Sequence, residues 1–361
     1  MSGLYVYAVI PGGEPRSFDV AGLWPADPKV VTIPAGGLAA VVGAAPPVDF
    51  HALPREEAVR YLLAHQRVAE VVMRDTPALP VRFGTVLPNE PAVIGMLERG
   101  QTVLTPRLAQ FSRHVQIELI VSWNLEEVLR EIATEDAVVQ LKAALEAAPS
   151  TTTGDLKVAL GRLVKAAIDS RREIIRNRIL EVLAPIAADM VENALMDDGM
   201  VANVALLLPE EASQTLDQRL AELDAEFGGR LNFRCVGPLP PSSFATVEVL
   251  LPSFDLVDQA RRLLHLGTSA RLIEIKSAYR RLIRQNHPDL QAAESAANDQ
   301  TAQLTDAYKT LLGYARAGAG SGDDGVPAGA DCRFDRGTVE RAVSVAVRRQ
   351  EVSAIRLGGQ P

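Results

Sequence analysis

Residues 273–291 read IEIKSAYRRLIRQNHPDLQ, a cationic helix running into the stop His287, Pro288, Asp289. Together with the residues just before it, the helix carries Arg271, Lys276, Arg280, Arg281 and Arg284 against a single acid, Glu274. Lys276, Arg280 and Arg284 recur every fourth position, so they form one stripe. Leu272, Ile275, Tyr279 and Leu282 mark a different, apolar face. Proline at 288 disfavours the helical conformation for His287 and ends the run. Asp289 then presents an acceptor at the tip. Downstream, Leu304, Ala307, Tyr308 and Leu311 share one side of a second helix. The pattern predicts two antiparallel helices packed through tyrosine and leucine faces, with the basic stripe left in solvent.

That stripe sits in an acidic chain. The 361 residues carry 37 Lys and Arg against 45 Asp and Glu, a formal charge of −8. Bulk binding to nucleic acid or to an anionic membrane is therefore not expected. Cys235 and Cys332 form no CxxC pair, and His51, His65 and His114 lack metal-ligand spacing, so neither metal nor cofactor is expected. There is no nucleophile–base pair and no phosphate-cradling glycine loop, which argues against an enzyme. The N-terminus lacks the basic leader of a signal peptide, and no apolar run reaches the length of a membrane span. Reduced thiols and a cytoplasmic address are expected.

Around the hairpin the chain alternates between sheet and helix. Residues 4–10 and 36–45 read as strands, 54–75 as a helix with Glu56 and Glu57 in its first turn, and 79–87 as a strand. Two short helices are expected near Val93 and Leu108, then an alternating strand over 114–123. Next come one helix from 125 to 147, a longer helical stretch from 155 to about 195 broken at Pro185, a buried strand and a capped helix. Two strands joined by a proline-rich turn follow. The basic run at 170–178, SRREIIRNR, reads as a solvated helix face, with partner binding as the alternative. The fold class is α+β. An α+β domain spans 1–124, a helix-rich second α+β domain 125–252, an all-α module 253–317, and a flexible linker with a short tail 318–361. In that tail Val343, Val345 and Val347 fit a strand, while Val339, Val343 and Val347 fit a helix.

The order of basic stripe, His-Pro-Asp and amphipathic partner helix resembles the J-domain of Hsp70 co-chaperones. EIKSAYRRL, HPD and LTDAYKTL each match that family's pattern, over about residues 254–317. The resemblance implies that His287, Pro288 and Asp289 help trigger ATP hydrolysis by a DnaK-type Hsp70. It also implies that Lys276, Arg280, Arg281 and Arg284 dock an acidic surface of that chaperone. His265 stands about where the family usually has glycine. No Gly/Phe-rich segment or zinc repeats follow.

Two stretches of the remainder read on physics alone as a strand with an outward arginine and a rigid interstrand connection. They are LPVRFGTVL, with Arg82, Phe83 and Gly84, and GPLPPSSF, with Gly237, Pro238, Pro240, Pro241 and Phe244. With the N-terminal LYVYAVIP, in this order, they resemble the gas vesicle protein F/L family over about residues 4–251. That resemblance implies two α+β domains, the first ferredoxin-like. It also implies a role in gas vesicle assembly and, as partners, the apolar shell subunit and other gas vesicle proteins. The joint expectation is a cytoplasmic, vesicle-associated assembly factor that holds the shell subunit and recruits Hsp70. The rivals are a minor structural component of the vesicle and a J-protein for unrelated clients.

Overall fold

The computed structural model describes residues 3–24, 29–45, 48, 50, 52–149, 153–285, 294–319 and 331–349. The chain forms two compact units, each built from separated segments: residues 1–112 with 245–348, and residues 113–244 with 349–361.

The first unit opens with β1 (Gly3–Pro11), β2 (Ser17–Phe18), β3 (Val30–Ala35) and β4 (Leu38–Ala45). Helix α1 (Arg55–Asp75), β5 (Leu79–Pro80), β6 (Val86–Leu87) and α2 (Glu90–Phe111) follow. The sheet order is β2-β3-β4-β1-β5, with β6 also on β1. Gly36 and Gly37, at φ +60° and +79°, make the tight turn of the β3–β4 hairpin. Tyr5 to Ile10 are all buried, the continuous apolar run of a strand covered on both faces. Asn89 caps α2, its side chain accepting from Ala92 N–H at 3.0 Å. The two short helices expected here are one, which runs through Pro106 with Leu104 and Leu108 buried on either side of it. Packing of that face outweighs the one backbone bond that proline removes.

The second unit contains β7 (His114–Trp123), α3 (Leu125–Ile132), α4 (Asp136–Ala147), α5 (Thr153–Leu183), β8 (Asp189–Glu192) and β9 (Met200–Pro209). A 3-10 turn at Glu210–Ala212 leads to α6 (Ser213–Glu226) and β10 (Leu231–Leu239). The antiparallel sheet has order β10-β7-β9-β8. Strand β7, expected at the end of the first domain, thus pairs wholly within the second. The helix expected over 125–147 is split by residues 133–135, and α5 stops two residues before Pro185, the chain then becoming strand β8.

The first unit resumes with β11 (Thr246–Leu250), α7 (Phe254–Leu263), β12 (Ser269–Arg271), α8 (Leu272–Gln285) and α9 (Glu294–Ala319). It closes with β13 (Asp331–Arg333), α10 (Arg336–Arg341) and β14 (Ser344–Arg348). The two strands expected to be joined by the proline-rich turn, β10 and β11, belong to different sheets. The module expected to be purely helical carries a short sheet, β12 with β13. Its core joins Val257, Leu264, Ile275, Leu282, Leu304 and Leu311 to Cys332, Phe334 and Val339 from the tail. The tail is therefore structured over 331–348, and neither period read there holds along its whole length, since Val343 lies between the two elements. Val339 belongs to the helix α10, Val345 and Val347 to the strand β14. Residues 320–330 and 350–361 lie outside the described residues. Among the described residues no helix is long and apolar enough to cross a membrane.

Candidate functional site

Helix α8 buries Leu272, Ile275 and Leu282 of the apolar face read from the spacing, together with Ala278, and leaves Tyr279 half-buried. Its only acid is engaged locally. Arg271 N–H donates to Glu274 Oε2 at 2.8 Å and the Arg271 guanidinium to Oε1 at 2.7 Å. These bonds hold the Glu274 carboxyl below its ordinary range. Lys276 is half-buried, Arg280, Arg281 and Arg284 are exposed, and none of the four has an ion pair among the described residues. The apolar side of the hairpin is fixed by Tyr279, whose ring stacks on Tyr308 and whose Oη lies 3.3 Å from Thr305 Oγ1. His287, Pro288 and Asp289 lie outside the described residues.

The basic run of α5 is a different case. Arg171 pairs with Glu135, Arg176 with Glu192, and Arg178 with Glu226 and Glu181. Arg172, nearly buried, bonds Asp169, Asp198 and the Met200 carbonyl. These cations are spent on the second unit's own structure, whereas those of α8 have no such pairs among the described residues.

The first body motif folds around an aromatic cluster in the first unit. Phe83 meets Phe50 edge-on at 5.2 Å and His65 at 5.8 Å between centroids. Gly84, at φ +86°, donates its N–H to Tyr5 Oη at 3.1 Å, and Tyr5 Oη in turn lies 2.9 Å from His65 Nδ1. Burial pushes the His65 imidazole down to about 4, with a backbone hydrogen bond at Val81 opposing, and it raises the Tyr5 phenol. His65 is thus a neutral core acceptor. Arg82 points outward, as expected, but it has a partner: its N–H donates to Val247 O at 2.9 Å, and its guanidinium meets Glu248 at 3.1 Å. Both side chains are well exposed, so the ion pair fixes register more than stability.

The second body motif is rigid for reasons visible in the second unit. Gly237 sits at φ +155°, and a Cβ there would fall 2.6 Å from Ile117 Cδ1 and 2.9 Å from Gln116 O. Pro240, Pro241 and Phe244 are buried. Gln116, almost fully buried, donates to Ser243 Oγ at 3.1 Å and accepts from Ser243 N–H at 2.9 Å. Glu118 joins through Gln116 and Asn193, and burial raises its carboxyl. Sequence reasoning missed this polar network, because Gln116 and Glu118 in an alternating strand read as its solvent side. Both motifs therefore hold backbone shape. The strand that follows the second, β11, meets the first at Val247 and Glu248.

A family model described as Gas vesicle synthesis protein GvpL/GvpF matches residues 3–246. The chain belongs to that family. A DnaJ domain model matches residues 262–315, so this GvpL/GvpF protein also carries a J-domain. Its GvpL/GvpF body is 24% identical over 251 residues to Gas vesicle protein F of Nostoc sp., covering 68% of this chain and 99% of that protein. It is 27% identical over 241 residues to Gas vesicle protein F of a Streptomyces species, covering 66% and 98%. The crystal structure of GvpF from Anabaena sp. superposes with a TM-score of 0.57 at 23% identity, covering 67% of this chain and 98% of that one. GvpF from Microcystis aeruginosa gives 0.52 at 24% identity, over 67% and 98%. These neighbours show the fold of the body. Neither family model reaches the tail strands and helix at 331–348.

Proposed function

We propose that this GvpL/GvpF protein is a non-enzymatic gas vesicle assembly factor whose α+β body binds the apolar shell subunit and whose J-domain recruits a DnaK-type Hsp70. The observation that carries the reading is the stripe of Lys276, Arg280, Arg281 and Arg284, without an ion pair among the described residues, on a helix fused to a GvpL/GvpF body. An apolar subunit exposed before assembly is an aggregation hazard, and an adaptor that brings a chaperone to it keeps it competent. Charge complementarity of this kind sets encounter rate and register. The site of action is the cytoplasm, at growing vesicles, alongside other gas vesicle proteins.

The test is a sedimentation assay on freshly diluted shell subunit with the full chain, the cognate Hsp70 and ATP. The subunit is expected to stay in the supernatant only when all three are present. A subunit that pellets equally with and without the chain contradicts the proposal. If, in addition, the chain floats with extensively washed vesicles, it is a minor structural component instead.

A further inference from the structure

The tail at 331–348 answers to neither family model, yet it grips the first unit at two places. At the first, β13 pairs with β12, the strand that leads directly into α8: Ser269↔Arg333, Ala270↔Cys332, Arg271↔Asp331. Tyr314 of α9 donates its hydroxyl to the Arg333 carbonyl. Phe334, Val339 and Ala342 enter the J-domain core, and the Arg336 guanidinium lies 4.3 Å over the Phe254 ring. At the second, β14 pairs along its whole length with β11, from Thr246↔Arg348 to Leu250↔Ser344. Beside β11, Val81 and Val247 bridge in parallel, which ties this ribbon to the edge of the body sheet at β5. Val345, nearly buried, packs where Gly100 leaves room on α2; a Cβ on Gly100 would meet Val345 Cγ1 at 3.0 Å and Leu104 Cδ1 at 2.6 Å.

The J-domain is thus not hung on a single strand of chain. It leaves the body at Leu250 and the tail returns at Ser344, and these two residues are paired with each other. Only residues 251–253 separate β11 from α7, and only 342–343 separate α10 from β14. A single flexible connection lets a module swing. A two-stranded neck seated on α2 removes that freedom, because rotation must break ladder hydrogen bonds and expose Val345 together.

We propose that residues 331–348 are a two-point clasp that holds the J-domain, and with it the basic face of α8, in one fixed orientation on the N-terminal half of the GvpL/GvpF body. A chaperone docked on α8 then always meets the same side of that half. The clasp is independent of whether α8 binds Hsp70.

The experiment is a distance measurement in the full chain between spin labels at Glu98→Cys on α2 and Ser277→Cys on α8, both exposed positions. Cys235→Ser and Cys332→Ala remove the native thiols. The clasped chain gives a single narrow distance distribution. Val345→Asp, which places a charge in the seam without touching the J-domain core, broadens it several-fold. Gly100→Val wedges the same seam from the helix side and reproduces the broadening; it stands as the test should Val345→Asp lose its helical circular dichroism. A broad distribution in the parent chain, or a narrow one kept when the seam is broken in a folded variant, overturns the proposal.

Discussion

Tyr279 and Tyr308 stack with ring centroids 4.4 Å apart and planes 12° from parallel, and this pair sets the register of α8 against α9. With Tyr279 facing inward, Lys276, Arg280 and Arg284 are turned to solvent. Tyr279→Ala removes a half-buried ring from the pair and is expected to destabilise the J-domain by about 2–3 kcal/mol. Tyr279→Phe keeps the stack and loses only the contact to Thr305, at about 0.5 kcal/mol. Urea unfolding of the full chain, followed by hydrogen exchange in α8 and α9, measures both. Equal costs for the two variants would mean that the hydroxyl, not the stack, holds the hairpin.

His265 occupies the left-handed region at φ +53°, where it closes α7. Leu266 N–H donates to Arg261 O at 2.9 Å and His265 N–H to Arg262 O at 3.0 Å, a helix stop that glycine makes without strain. His265→Gly is expected to stabilise the J-domain by about 1 kcal/mol. The check is a rise in its urea midpoint at unchanged slope.

Gly237→Ala forces a Cβ into Ile117 and the Gln116 carbonyl. A loss of about 2 kcal/mol in the second unit is expected. Thermal unfolding followed by Trp123 fluorescence reports it, since Trp123 belongs to that unit's core.

The buried His65 makes the first unit acid-sensitive. Its folded value is about 4 against 6.5 for the free side chain. Between those values the unfolded chain binds the extra proton and the folded one does not. Stability is therefore full above pH 6.5 and falls as pH drops toward 4, by about 3 kcal/mol at the lower end. His65→Gln, which can still accept from Tyr5, flattens this part of the pH profile. An unchanged slope in the variant would assign the acid sensitivity to other groups.

The J-domain hairpin was legible in the sequence because its signals are local. The period of Leu272, Ile275 and Leu282, the four-residue spacing of the cations and the proline at 288 all act within a few turns. Alternation over 114–123 specifies a strand but not its partner, so the sequence places β7 at the end of the first domain whereas the structure pairs it in the second unit. β9 and β10, its actual neighbours, come some eighty or more residues later. The tail was ambiguous because its valines serve two elements in succession, and only contact with β12, β11 and α2 divides them. The aromatic cluster around Phe83 and the Gln116–Ser243 network were hidden for the same reason. Their members lie 60 and 127 residues apart, as Tyr5 and His65, or Gln116 and Ser243, show.

Tail residues Cys332, Phe334 and Val339 complete the J-domain core, so the co-chaperone claim is best tested on the full chain. The most direct measurement is single-turnover ATP hydrolysis by the cognate DnaK-type Hsp70, with the wild-type chain, Asp289→Asn and Arg280→Glu. The account predicts acceleration by the wild type, none by Asp289→Asn, and a much weaker, less salt-sensitive effect with Arg280→Glu. A wild-type chain that leaves the hydrolysis rate unchanged, or an Asp289→Asn chain that accelerates it equally, would contradict the claim that α8 and the His-Pro-Asp residues after it recruit and trigger Hsp70.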